Sequence, residues 1–507
     1  MQGRLDFKKI KPYFILSLIV SVIGISAISL NVNKLGAEEY SQKDKCVEYY
    51  STQKLIQVRC NDIHLTDIYD NIGYTGVLAK ENTGNELVDQ NNRNIWILRA
   101  GIVIEKEAGL IIDSKDTSWL KLVPVPTTQK IQQSNETKSK IPVTTDGGIL
   151  HVVSYSLDGT NYGYGNRTSP IVVSKNNGDN PNGIHVHGSL KIDSVKITSW
   201  DPETKDVIVF DFGKRPGEEH TKSDYDTAEP RGFIRVSKDA TGTTDITDSE
   251  IAYLGYSCSR CSGLSYYGGE GSVIKNNNIH HLLKGYYSKG MGNTLIEGNE
   301  FHDNYLYGID PHTGSHDMII RNNIVHDNNA SGIICSKHCY NLLIEGNEVY
   351  RNKGVGRGIA FSINTTHSIA RNNDVHDNER CISFNRESNF NQVYNNTLSN
   401  CKVGIYLSNT SKNIIDHNDI VDSESGIVIK HDITNNITNN VVEKATSGIT
   451  FIGKNDSVGI ADSTPDDVFD INLYLDNLKS SNSLDITNPI SVEQGKIKGL
   501  TDLIKLQ

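Results

Sequence analysis

The chain has 507 residues, with 50 Lys and Arg against 61 Asp and Glu, for a formal charge of −11. Hydrophobic residues make up 36%, aromatics 7% and charged residues 22%, lean for one compact core yet too weakly charged for a disordered chain. With 43 Gly and 12 Pro, collagen-like and proline-rich architectures are excluded, and the acidic balance argues against nucleic-acid binding, which needs clustered Lys and Arg.

At the N-terminus, Arg4, Lys8, Lys9 and Lys11 precede an uncharged stretch from Pro12 to Val32. A basic segment before such a run reads as a secretory signal or an uncleaved anchor. Residues 1–37 are therefore assigned to targeting, membrane contact is expected through this segment alone, and the rest is expected to be secreted, periplasmic or anchored at the cell surface. Residues 38–94 are read as a small N-terminal element. Residues 95–455 read as a solenoid, opening with strands such as Gly101-Ile-Val-Ile-Glu105, Gly109-Leu-Ile-Ile-Asp113 and Gly183-Ile-His-Val-His187. The polar stretch 124–146 reads as a loop inserted into it. Eight cysteines fall into near neighbours, Cys46 and Cys60, Cys258 and Cys261, Cys335 and Cys339, Cys381 and Cys401. They fit an oxidising compartment. Cys258 and Cys261 have zinc spacing, but no second C-x-x-C completes a four-ligand set, so disulfides or buried thiols are favoured.

From residue 270 the sequence repeats. Lys275-Asn-Asn-Asn-Ile-His280, Glu297-Gly-Asn-Glu-Phe-His302 and Arg321-Asn-Asn-Ile-Val-His326 share an asparagine that recurs as Asn277, Asn299, Asn323, Asn347, Asn373, Asn396, Asn418 and Asn440, at intervals of 22 to 26 residues. A second register runs through Gly263, Gly285, Gly308, Gly332, Gly358, Cys381, Gly404, Gly426 and Gly448. This period marks a solenoid, and the β-branched, alternating segments broken by Gly and Asn make each repeat several short strands. The fold expected is all-β, a parallel β-helix in which the asparagines form a hydrogen-bonded ladder; its right hand is implied only by the family resemblance given below. After residue 455 the repeat stops, and residues 456–507 carry a short helical pattern suited to capping the open edge.

Strand alternation places Ile309, Ile333, Ile359, Ile382, Ile405, Ile427 and Ile449 in the core. Three outward columns follow. One contains Tyr267, Lys289 and His312, a second Ser265, Tyr287 and Asp310, and a third Lys284, Tyr307, Ser331, Arg357 and Arg380. An acid, a base and several cations converge on residues 284–312, the composition of a site rather than of a plain solvated face. His280, His302, His326 and His376 instead follow the ladder asparagine at a turn and read as structural, as does His316.

Leu306-Tyr-Gly-Ile-Asp-Pro-His-Thr-Gly-Ser-His-Asp317 resembles the Tyr-Gly-Phe/Ile-Asp-Pro-His signature of the mannuronan C5-epimerases, right-handed β-helix enzymes that convert β-D-mannuronate to α-L-guluronate within alginate. The similarity extends over Ser199-Trp-Asp201, Arg231-Gly-Phe-Ile-Arg235, Ile251-Ala-Tyr-Leu-Gly-Tyr256 and Gly263-Leu-Ser-Tyr266, and is nearest to the periplasmic type. Two positions depart from it: Thr313 stands where an Asp commonly follows the His, and Lys337 where an Arg is usual. Lys neutralises a carboxylate without Arg's bidentate fork.

The resemblance implies that His312 is the base and Tyr307 the acid or proton relay. Asp310 would orient His312 or bind sugar, Lys289, Lys284 and Lys337 would neutralise the uronate carboxylate, and Tyr287, Tyr267, Arg357 and Arg380 would bind neighbouring sugars. The partner implied is an anionic polysaccharide. No cofactor is required; no motif calls for calcium, whose involvement is left open. The same intermediate could expel the C4 oxygen, making the protein a polyuronate lyase, and a non-catalytic glycan-binding surface β-helix is the remaining alternative.

Overall fold

The computed structural model describes residues 46–81, 94–125, 180–209, 230–258, 260–354, 356–430 and 435–452, with four further strands, Ser457–Asp462, Val468–Tyr474, Ser491–Glu493 and Lys496–Lys498. The Pro12 to Val32 stretch and all of the 124–146 loop beyond Val125 lie outside the described residues.

Each solenoid turn supplies three strands. In the turn opening at Lys284 these are Lys284–Lys289, Leu295–Glu297 and Glu300–His302, and the next turn opens with Ile309–His312. First strands pair in parallel with first strands of adjacent turns, so Gly263–Tyr266, Lys284–Lys289, Ile309–His312, Ile333–Cys335, Arg357–Phe361 and Arg380–Asn385 stack in that order. The second and third strands stack likewise, giving a right-handed parallel β-helix. The predicted core column, Ile309 through Ile449, is no more than 2% exposed at any member. Each such side chain contributes roughly 2 kcal/mol of burial free energy.

The two sequence registers have separate physical causes. At the bend between second and third strands, each ladder asparagine donates from Nδ2 to Oδ1 of the asparagine one turn on, from Asn277 to Asn299 and so through to Asn440, at 2.8–3.0 Å. Burying these amides costs little because every lone pair and N–H is used along the column. The glycine register answers close approach instead. A Cβ on Gly308 would lie 2.6 Å from Val325 Cγ1 and 2.8 Å from the Gly332 carbonyl oxygen, so the next turn leaves no room for a side chain. Gly263 departs from the register: it pairs with Lys284 across a β-bulge, and the Lys284–Lys289 strand carries one extra residue there.

Residues 46–81 join the solenoid rather than standing apart as a separate element. Val47–Tyr50 pairs antiparallel with Leu55–Val58, which continues in parallel onto Gly101–Ile104. The helix Leu65–Ile72 buries Leu65, Ile68 and Ile72 on one face, so the end of the hydrophobic column is covered. The C-terminal end is closed by strands where a helical pattern was expected. Ser457–Asp462 runs antiparallel to Ser447–Ile452, and Val468–Tyr474 antiparallel to Asn436–Glu443. An added strand satisfies the last turn's edge N–H and C=O groups, which a helix laid across them cannot do. All four near-neighbour cysteine pairs are disulfides, which removes the zinc and free-thiol alternatives.

Candidate active site

The strand Ile309–His312 presents Asp310 and His312 on the outward side of the first sheet, with Ile309 and Pro311 buried. The columns hold as predicted: Ser265 pairs with Tyr287 and Tyr287 with Asp310, while Lys289 pairs with His312 and Arg357 with Arg380.

Asp310 is fully buried beneath this face. Its Oδ2 accepts from Lys284 Nζ at 2.9 Å and its Oδ1 from the Ser336 hydroxyl at 2.6 Å. A carboxylate can be buried at low cost only where it is paired and hydrogen-bonded in this way. Two expectations change as a result. Lys284 is engaged by Asp310 rather than standing free for a substrate carboxylate, and Asp310 lies below the surface where a sugar would rest.

His312 is half-buried. Its Nδ1 lies 2.5 Å from the Thr313 hydroxyl, and the Tyr287 ring centroid is 5.6 Å from its own. The residue fixing the imidazole is therefore Thr313, at the position where the sequence departs from the usual Asp; Asp310 acts on the ring through charge. Burial lowers the His312 pKa below its ordinary value, Asp310 opposes this, and Lys284, Lys289 and Lys337 reinforce it. Lys289 is exposed and Lys337 half-buried, one on each adjacent turn.

Behind His312 lies an aromatic and cationic row. Lys284 Nζ sits 4.3 Å from the Tyr287 ring centroid and 5.4 Å from that of Tyr307. Burial pushes the Tyr307 phenol up to about 12, Asp310 adding to the rise and Arg357 opposing it. Burial likewise raises Tyr287. Arg357 is lowered to about 10 by burial and then by Arg380, and its Nε is buried with no hydrogen-bond partner among the described residues. The Arg380 guanidinium lies 3.9 Å from the Tyr406 ring centroid. Burial raises the phenol of Tyr267, 5.9 Å from Tyr287 between ring centroids, and Arg260 and Arg235 oppose the rise.

Sequence reading passed over Thr313, Ser336, Arg235 and Arg260 as site residues. Arg235 could have been found, since it pairs with Ser265 and so extends the Ser265–Tyr287–Asp310 column by one turn; the longer spacing upstream hid it. The histidines read as structural form a stack with one tyrosine: His280, His302, His326, Tyr350 and His376 follow one another at centroid separations of 4.8, 5.2, 4.8 and 4.8 Å. His316 stacks on Tyr340 at 4.9 Å and pairs its Nδ1 with Asp317 at 2.7 Å. Arg231 is also structural, fully buried and donating to the carbonyls of Leu254, Gly255 and His281. Among the described residues one group could hold a metal ion, His64, Asp113 and Asp116, at the N-terminal end of the solenoid and not at this face.

The fold and its polar face define a right-handed parallel β-helix protein, and the family model for a right-handed β-helix region matches residues 262–420. Among solved structures the chain is similar to the periplasmic alginate epimerase AlgG, with 18% identity and a TM-score of 0.51 over 74% of this chain and 72% of that one. A mutant form of AlgG matches with 16% identity and a TM-score of 0.51, over 79% and 86% of the two chains. The A-module of the Azotobacter vinelandii mannuronan C-5 epimerase AlgE4 is 12% identical, with a TM-score of 0.40 over 72% and 85%. No curated protein matches the chain by sequence. At these identities the likeness is one of fold.

Proposed function

We propose that the protein is a polysaccharide C5-epimerase that inverts uronate residues, of the mannuronate-to-guluronate kind, within an anionic polymer. The observation that carries this reading is His312 on an outward strand, its pKa lowered by burial and by Lys284, Lys289 and Lys337, with the Tyr287 ring centroid 5.6 Å from its own. The solved structures of similar fold that are named alginate epimerase support it.

The roles follow from the chemistry. With Nδ1–H donated to Thr313, the His312 Nε2 lone pair takes the C5 proton. The electron pair moves into the adjacent carboxylate, where a second negative charge develops, and Lys337 and Lys289 stabilise it. Tyr307, or Tyr287 with its ring centroid 5.6 Å from that of His312, returns a proton to C5 from the opposite face. Imidazolium and phenolate then reset through solvent, so no bond to O4 breaks and the chain stays intact. Four disulfides support a location outside the cytoplasm. Incubation of the chain with polymannuronate in deuterated water, followed by proton NMR, tests the reading. Loss of the mannuronate C5 proton with new guluronate signals is expected. Unsaturated chain ends would make it a lyase, and no change on any polyuronate would leave a glycan-binding surface protein.

A further inference from the structure

The turn after each first strand is closed in the same way on several turns of the solenoid. Ser315 donates to the His312 carbonyl at 2.9 Å, Thr365 to that of Ser362 at 2.9 Å, and Ser388 to that of Asn385 at 2.8 Å. In each case a hydroxyl reaches back three residues and clasps the bend. The turn between Ile333–Cys335 and Leu343–Glu345 differs. Cys339 occupies the place of Ser315 and Thr365, as the stacking of His316, Tyr340 and Thr366 fixes, and in place of a hydroxyl clasp it forms a disulfide with Cys335.

Between the two half-cystines lie Ser336, Lys337 and His338. Ser336 holds Asp310 at 2.6 Å, and Lys337 is one of the charges acting on His312. Both half-cystines are 1% exposed. Cys339 Sγ lies 3.5 Å from the Pro311 carbonyl oxygen, between Asp310 and His312 in the chain, and the Thr365 hydroxyl approaches Cys335 Sγ at 3.0 Å. The covalent clasp is thus packed against the Asp310–His312 strand. A bridge over so short a loop constrains the unfolded chain less than a longer one such as Cys381–Cys401, so its placement sets it apart more than its contribution to global stability.

We propose that the Cys335–Cys339 bridge is a positioning element of the candidate site, holding Ser336 against Asp310 and Lys337 beside His312. Its catalytic consequence rests on the epimerase reading above; its geometric consequence does not. Displacing a charged group by about 1 Å can cost on the order of 100-fold in rate, and a bend without its clasp allows such displacement.

The test compares Cys335→Ala/Cys339→Ala, which has no clasp, with Cys335→Ala/Cys339→Ser, which restores a hydroxyl able to reach the Ser336 carbonyl. Cys46→Ala/Cys60→Ala, at the N-terminal end, controls for the loss of a disulfide as such. The unclasped variant should lose roughly 10- to 100-fold in kcat on polymannuronate with little change in KM. The hydroxyl variant should recover much of that loss, and the control should keep wild-type kcat. Independently of activity, the His312 ring titration followed by NMR should move upward in the unclasped variant, because Lys337 no longer opposes the proton while Asp310, Lys284 and Lys289 stay in place. If the unclasped variant does not fold by circular dichroism, the hydroxyl variant carries the test, with a smaller rate loss and a smaller upward shift. An unchanged kcat, an unchanged His312 midpoint, or an equal rate loss in the control overturns the proposal. If the wild type turns over no polyuronate, the epimerase reading has failed, and the NMR midpoint alone decides the role of the bridge.

Discussion

His312 lies half-buried among Lys284, Lys289 and Lys337, whereas His316, four residues on, is tied to Asp317 and stacked on Tyr340. His312→Gln should therefore lower kcat by at least about 100-fold, the scale of a lost general base, with circular dichroism unchanged. His316→Gln should stay within roughly twofold of wild type, since it removes an exposed ion pair and one stacking contact. The pH profile tests the charges directly. A histidine whose pKa is depressed is the neutral base at pH 7 and loses activity only on acidification below its ordinary value of 6.5. Removing one of the cations that depress it raises that pKa, so Lys289→Ala should move the acidic limb of kcat/KM upward while lowering kcat. A limb that stays in place would detach Lys289 from the base. The identity of these side chains was legible because strand alternation and the Asp-Pro-His run place them on one face. The engagement of Lys284 by Asp310 was not, because sequence gives the column but not how deeply a carboxylate sits within it.

The asparagine ladder is the element on which the stacking of turns depends. Asn323 accepts from the Asn299 backbone N–H at 3.0 Å and side-chain amide at 2.9 Å, and donates to Asn347 at 2.9 Å and to the Ile296 carbonyl at 3.0 Å. Asn323→Ala leaves the buried Asn299 N–H unpaired and breaks the column, so it should cost about 3 kcal/mol in urea unfolding, at the upper end for one orphaned buried group. A cost under about 1 kcal/mol would show that water replaces the amide. A second ladder, Asn304, Asn328, Asn352 and Asn378, runs at the next bend, and a third joins Asn391, Asn413 and Asn435. The second was detectable in sequence, since each member follows a first-ladder asparagine by five residues. The C-terminal closure was not: its segments carry a helical pattern, yet the unpaired edge of the last turn captures them as strands.

Along the whole solenoid, cations continue beyond the candidate site. Arg357 and Arg380 follow Tyr307 in the third column by two and three turns, about 10 and 14 Å at ordinary strand spacing. A polymer lying along the helix axis would carry its carboxylates past them. Neither arginine is the freely exposed side chain that outward alternation suggested: both are half-buried, with Arg357 lowered by burial and Arg380 against Tyr406. Arg357→Ala and Arg380→Ala should each raise KM for long chains by about fivefold, the equivalent of about 1 kcal/mol, and leave very short oligomers nearly unaffected. The effect should shrink as salt is added, because a substrate contact at the surface is screened. Equal loss of kcat at every chain length would place the arginines in the chemical step instead.

The sequence alone determined the period, the parallel β-helix class, the core isoleucines and the three columns, because a solenoid converts a residue interval directly into a neighbour in space. It also set the eight cysteines out as near neighbours, while their bonding was decided by the structure. Tertiary structure decided what an interval cannot encode. Depth turned Asp310 into the buried partner of Lys284 and Ser336 and lowered the pKa of His312. Edge satisfaction recruited residues 46–81 and the C-terminal strands into the solenoid. Both depend on how far each group is removed from water, and that is a property of the packed turns together rather than of any one repeat.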